Sequence, residues 1–212
     1  MRYRDRGHAG EVLAAALAGR SWVEPLVLGL PRGGVPVAAP VAAALGAELD
    51  VLVVRKVGAP DRPELALGAL AEGSDHVVWG EAVGHRHPDL ESIEGTVAAE
   101  RAELARRVAA YRGDRPPSAV EGRDVVVVDD GLATGATAEA ALRSVAGRGA
   151  RRVVLAVPVG PPSTIERLGA HADAVVCPNV RPDLGSVGEW YDDFRQTTDE
   201  EVLAALARSG QR

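Results

Sequence analysis

The 212-residue chain predicts a doubly wound α/β fold, a mainly parallel five-stranded sheet with flanking helices and a small appendage at its C-terminal end. Three observations point there. Val125, Val126, Val127 and Val128 follow one another without a polar interruption, which describes a strand buried on both faces in the middle of a parallel sheet. Apolar runs at 25–29, 49–54, 152–157 and 174–177 have the same character. Between these runs lie stretches whose apolar residues recur at helical spacing, so strand and helix alternate and right-handed crossovers follow.

Taken in order, Val12, Leu13, Ala16 and Leu17 share one face of a helix over 9–18, with Gly19 as a stop. The first strand runs into Leu30, Pro31, Arg32, Gly33 and Gly34, and Pro36 suits the first position of a helix that Val37, Val41, Ala44 and Leu45 continue to Gly46. The second strand ends at Arg55 and Lys56. Residues 57–64 hold too many breakers for regular structure and read as a mobile loop. Runs at 66–70 and 76–79, separated by Glu72, Gly73, Ser74 and Asp75, describe a hairpin on the sheet margin. Asp89 is placed to cap a long crossover helix reaching Tyr111, with Ile93, Val97, Leu104 and Val108 on the same face. After the central strand come a helix over 138–145, the fourth strand, a proline-started helix over 161–168 and the fifth strand. Thr198 and Glu201 then form a capping box that opens a last helix with Val202, Leu203 and Leu206 inward. One domain over 1–212 accounts for all of this, with a core at about 21–178 and an appendage at 179–212.

Composition narrows the function. Apolar residues make up 46% of the chain and aromatic residues 3%, so the core is built from Val, Leu and Ala. A formal charge of −6 provides no general attraction for nucleic acid or anionic membrane, and an anionic substrate must be held by local structure. The lone Cys177 sits in an apolar run and reads as a buried thiol. The N-terminal residues are charged and no stretch has the length of a membrane span, which leads us to expect a cytoplasmic protein. His85 and His87 lack a nearby cysteine or carboxylate pattern, and no metal is assigned to them.

The chemistry concentrates where strands end. Asp129 and Asp130 follow the valine run, and Ala133, Thr134, Gly135, Ala136 and Thr137 lead into the next helix. A turn of this kind offers an anion free backbone N–H groups, a helix N-terminus and two hydroxyls. The aspartates would repel a phosphate and suit sugar hydroxyls or a cation, so the stretch describes a ribose 5-phosphate site. The plainer alternative is a strand-to-helix junction whose aspartates only cap the helix. Arg32, Gly33 and Gly34 make a second such turn, since glycines let backbone approach an anion and arginine supplies a matching fork. A glycine-rich turn with a solvated arginine is its plainer alternative.

Residues 125–137 resemble the phosphoribosyl pyrophosphate (PRPP) signature of the type I phosphoribosyltransferases: an apolar strand, two acidic residues, two mostly apolar residues, a small residue, then Thr-Gly-x-Thr. The resemblance implies that Asp129 and Asp130 bind the ribose hydroxyls and that Ala133, Thr134, Gly135, Ala136 and Thr137 wrap the 5-phosphate. It implies that Arg32, Gly33 and Gly34 grip pyrophosphate, in a loop that often carries a non-proline cis peptide bond. Lys56, with Arg55 and Arg62 as further candidates, would close over that pyrophosphate from a flexible cover. The catalytic group is then Arg32, Lys56, Asp129 and Asp130. Mg²⁺ is the implied cofactor, carried mainly by PRPP, with direct or water-mediated contact from Asp129 and Asp130. In that family a small hood selects the acceptor, which points to Tyr191 or Phe194 as a stacking ring; docking the last helix is their alternative role. The implied reaction moves the 5-phosphoribosyl group of PRPP to a nitrogen acceptor, a nucleobase, in nucleotide metabolism, on a protein able to form homo-oligomers. A PRPP or nucleotide sensor on the same fold is the alternative. Ala133 departs from the 6-oxopurine enzymes, which carry an aspartate at that place; its methyl exchanges no proton, which disfavours hypoxanthine and guanine and leaves open adenine-, orotate- or uracil-like acceptors, or something outside nucleotide salvage.

Overall fold

A computed structural model describes residues 1–59, 61–74, 76–79, 90–113 and 115–209. His85, His87 and the proposed cap Asp89 lie outside the described residues, as does Asp75 of the predicted hairpin turn. Among the described residues the helices and strands follow in this order: α1 (Arg6–Leu17), β1 (Leu26–Gly29), α2 (Gly34–Leu45), β2 (Glu48–Val51), β3 (Val54–Ala59), β4 (Arg62–Ala71), β5 (Val78–Trp79), α3 (Leu90–Arg112), β6 (Asp124–Val128), α4 (Ala136–Gly147), β7 (Arg152–Ala156), β8 (Val159–Gly160), α5 (Pro162–Leu168), β9 (Ala174–Val176), β10 (Asn179–Val180) and α6 (Asp199–Ser209).

The central sheet has five strands in the order β2-β1-β6-β7-β9, and every pairing is parallel. This is the predicted doubly wound sheet, with β6 in the middle and Val125, Val126, Val127 and Val128 all at 0% exposure. Because side chains alternate along a strand, the two faces take different residues. Leu26, Leu28, Val125, Val127, Val153 and Leu155 face α4, where Ala138, Ala141, Leu142 and Val145 cover them. Val27, Val126, Val128, Val154 and Ala156 face the other layer, formed by α1, α2 and α6. Helices α1 and α2 approach closely: a Cβ on Gly10 would fall 2.4 Å from the Val37 carbonyl oxygen.

One expectation fails in the interval after the second strand. Residues 49–54 do not form one strand, and the described residues of 57–64 belong largely to two paired strands. Strand β2 ends at Val51, the chain crosses through Leu52 and Val53, and β3 pairs antiparallel with β4, which pairs with β5 in a separate three-stranded sheet. The breakers are absorbed by register shifts between Val57 and Gly58 and between Gly58 and Ala59. Irregularities of this kind are where a strand tolerates glycine and proline. The margin hairpin is therefore larger than the 66–70 and 76–79 runs indicated. Arg112, at the end of α3, ties it to the main sheet. Its guanidinium binds Asp50 at 2.6 Å, the Val51 carbonyl at 2.6 Å and both oxygens of Glu72, with 5% side-chain exposure.

The appendage is not confined to the C-terminal residues. Strands β8 and β10 pair in parallel, and Tyr3 bridges to Tyr191. Tyr3 is fully buried and its hydroxyl donates to the Pro158 carbonyl at 2.8 Å. The first residues of the chain are thus part of the hood. Among the described residues, no helix is long and apolar enough to cross a membrane.

Candidate active site

Two loops at the carboxyl edge of the sheet meet, as parallel α/β topology requires of a ligand site. The Leu30 N–H donates to the Val128 carbonyl at 2.9 Å, which holds the turn after β1 against the turn after β6. Contact is close enough to demand glycine. A Cβ on Gly34 would lie 2.5 Å from the Val128 oxygen, and one on Gly33 would lie 2.0 Å from Asp130 Oδ2. Gly33 has φ −64°, so space, not backbone torsion, calls for the glycine. The Pro31–Arg32 peptide bond is cis. Arg32, Gly33, Gly34, Asp129 and Asp130 are therefore brought together.

Beyond the aspartates the chain is tied down before it enters α4. The Leu132 N–H donates to the Val159 carbonyl at 2.8 Å, Thr164 Oγ1 donates to the Ala133 carbonyl at 3.1 Å, and Arg167 donates to the Thr134 carbonyl at 2.5 Å. Arg167 also pairs with the buried Glu139 of α4. Gly135 precedes the helix at φ +74°, a left-handed conformation that favours glycine. A pocket of about 170 Å³ opens here, lined by Asp129, Thr134, Gly135, Ala136, Thr137 and Val187. Its walls are backbone and small side chains at a helix N-terminus, the setting in which anions are bound.

The charges of the site are held by partners that the sequence did not announce. Asp130 Oδ2 accepts from Arg6 Nε at 2.9 Å and lies 2.8 Å from its second terminal nitrogen. Arg6 in turn donates to the Arg195 carbonyl at 2.7 Å and lies 4.0 Å over the Phe194 ring. Arg32 faces Asp199, 3.8 Å away, and the same Asp199 oxygen accepts from the Tyr111 hydroxyl at 2.6 Å. Burial first and then Asp199 push the Tyr111 hydroxyl up to about 12. Burial, followed by the neighbouring Asp130 charge, pushes the Asp129 carboxyl well above its usual range. Burial raises Asp130 too, against the pull of Arg6.

Other expected residues stand elsewhere. Lys56 is exposed on β3 of the margin sheet, opposite Ala69, and no bond among the described residues links it to the two loops. Its neighbour Arg55 is committed to Glu100 of α3 at 2.7 Å. Arg62 is exposed at the start of β4, opposite Ala59. Tyr191 is 2% exposed, with Tyr3 and Phe194 rings centred 5.4 and 4.9 Å away, and its hydroxyl donates to the Asp130 carbonyl at 2.6 Å. Tyr191 thus packs with Tyr3, Ala9 and Phe194, and these contacts leave a base little free face on its ring. Phe194 is half-buried under Arg6.

The chain belongs to the phosphoribosyl transferase domain family, whose model matches residues 8–193. It is 46% identical over 207 residues to the Mycobacterium tuberculosis H37Rv protein named "Putative phosphoribosyl transferase Rv0571c", covering 98% of this chain and 47% of that protein. The chain thus spans about half the length of the curated relatives it matches. Among solved structures it resembles the TT1426 protein of Thermus thermophilus, at 53% identity and a TM-score of 0.86, covering 98% of this chain and 99% of that one. The AQ2163 protein of Aquifex aeolicus, at 16% identity and a TM-score of 0.53 over 95% and 86% of the two chains, shares the fold.

Proposed function

We propose that this domain transfers the 5-phosphoribosyl group of PRPP to a nitrogen acceptor, a nucleobase, with release of pyrophosphate. The observation that carries the reading is one turn in which two carboxylates precede an anion pocket while the Arg32 loop touches the second carboxylate through Gly33. Asp129 and Asp130 accept hydrogen bonds from the ribose hydroxyls, and the amides and hydroxyls over 134–137 hold the 5-phosphate. Arg32 swings from Asp199 to the pyrophosphate, where negative charge grows as the bond to C1 breaks, and Lys56 approaches from the margin sheet. The enzyme needs no covalent nucleophile, because orientation and charge stabilisation are the work required.

Among the described residues no group of three or more His, Cys, Asp or Glu side chains is placed to hold a metal. Two adjacent carboxylates, one already bound to Arg6, fit an ion that brings most of its ligands with the substrate. Mg²⁺ carried by PRPP and touched by Asp129 and Asp130 would supply Lewis-acid neutralisation of the pyrophosphate oxygens. Ala133 beside the pocket exchanges no proton, which disfavours hypoxanthine and guanine and leaves adenine-, orotate- or uracil-like acceptors, or one outside nucleotide salvage.

A screen of bases and amines with Mg²⁺ and PRPP, reading pyrophosphate release, tests the proposal. Release with at least one acceptor is expected. A second reading, a module that binds PRPP and reports it, is favoured by the counter-ions already held by Arg32 and Asp130. PRPP binding without release for any acceptor would choose that reading.

A further inference from the structure

We infer that Arg6 is a positioning residue for the ribose: it holds one oxygen of Asp130 so that the carboxylate faces the hydroxyls of the phosphoribosyl group. The inference rests on the reading of the carboxyl edge as a PRPP site and adds a residue to it. Arg6 precedes residues 8–193, the part matched by the family model, so nothing in that match accounts for it.

Both nitrogen contacts from Arg6 fall on Asp130 Oδ2, at 2.9 and 2.8 Å. A carboxylate has about four lone-pair positions, so this use of one oxygen leaves acceptor capacity for a ligand and fixes the plane in which it lies. The pair is enclosed, with side-chain exposures of 12% for Arg6 and 17% for Asp130. Arg6 is itself held on three sides: it opens helix α1, it donates to the Arg195 carbonyl at 2.7 Å, and it stacks on Phe194 at 4.0 Å. A planar guanidinium locked in this way is a fixed template rather than a mobile charge. The Asp130 backbone is held as well, through its carbonyl and the Tyr191 hydroxyl at 2.6 Å.

Gly33 gives an independent sign that this pair is part of the site. A Cβ there would lie 2.0 Å from Asp130 Oδ2 and 3.1 Å from Arg6 Nε, so the loop after β1 leaves room for the Arg6–Asp130 pair. Without Arg6, Asp130 would lose the cation bonded to its Oδ2 beside a second carboxylate, Asp129, and would be free to turn from the ribose.

The test is calorimetric titration of PRPP with Mg²⁺, and of inorganic phosphate alone, into wild type, Arg6→Gln, Arg6→Lys, Asp130→Asn and Arg6→Gln/Asp130→Asn. We expect Arg6→Gln to weaken PRPP roughly tenfold, the scale of one charge-assisted hydrogen bond, while phosphate binding at 134–137 is unchanged. Arg6→Lys should recover part of the loss. The double variant should bind PRPP no worse than Asp130→Asn, because the two side chains act as one unit. Wild-type PRPP affinity in Arg6→Gln would overturn the inference, and so would equal losses for PRPP and phosphate or strictly additive losses in the double variant. A wild-type protein that binds no PRPP would instead defeat the proposed function, and this inference with it.

Discussion

Gly33 shows how a single missing methyl organises the candidate site. Its backbone torsion is ordinary, yet the oxygen of Asp130 occupies the place where a side chain would begin. Gly33→Ala should therefore push Asp130 and Arg6 apart, cost about 1–3 kcal/mol in unfolding experiments as overpacking does, and weaken PRPP binding. Unchanged stability and affinity would show that the loops have room to separate. Arg112 makes the opposite case, a cation whose work is structural. Its two carboxylate partners, Asp50 and Glu72, have 8% side-chain exposure each. Arg112→Met should cost about 3–5 kcal/mol in urea unfolding, because it strands buried charge. Burial would raise the Asp50 carboxyl, but Arg112 and then Ser118 hold it below its usual range. A carboxyl depressed in the folded state adds stability above its unfolded value of about 3.9 and loses it as pH falls through the folded value. Unfolding free energy measured across acid pH should decline in that window, and Arg112→Met should flatten the decline.

At the level of elements, the loop over 131–137 is shaped by a helix that does not itself enter the pocket. Arg167 of α5 reaches the Thr134 carbonyl and pairs with Glu139 of α4, so it couples the loop to two helices. Arg167→Ala should weaken phosphate binding by about 1 kcal/mol, roughly fivefold, with the fold retained; an unaltered phosphate titration would assign the loop's shape to Thr164 and the backbone alone. Much at this scale is legible in the sequence. Four valines and a Thr-Gly-Ala-Thr turn are local signals, and they correctly indicate the central strand and the junction after it. The β3–β4 pairing is not local in that sense. Gly58 and Pro63 read as loop residues, and only the bulged antiparallel register turns them into strand. Arg6 and Asp130 stand 124 residues apart, and no periodicity or spacing connects them.

At the scale of the whole chain, residues near its start and from the hood and α6 meet around the candidate site. Tyr3 and Arg6 from the N-terminal segment join Tyr191, Phe194 and Arg195 of the hood, while Asp199 at the start of α6 faces Arg32. A core of valine, leucine and alanine holds the sheet, and the sparse aromatic residues concentrate in the hood: Tyr3, Tyr191 and Phe194 pack together there. The central claim is that Asp129 and Asp130 bind the ribose of PRPP beside a phosphate held at 134–137. Calorimetric titration of PRPP with Mg²⁺ into wild type and Asp129→Asn/Asp130→Asn tests it most directly. At about 1.5–3 kcal/mol for each charge-assisted hydrogen bond, the double variant should bind roughly a hundredfold or more weakly, with its fold intact by circular dichroism. Equal affinity in the two proteins would contradict the account.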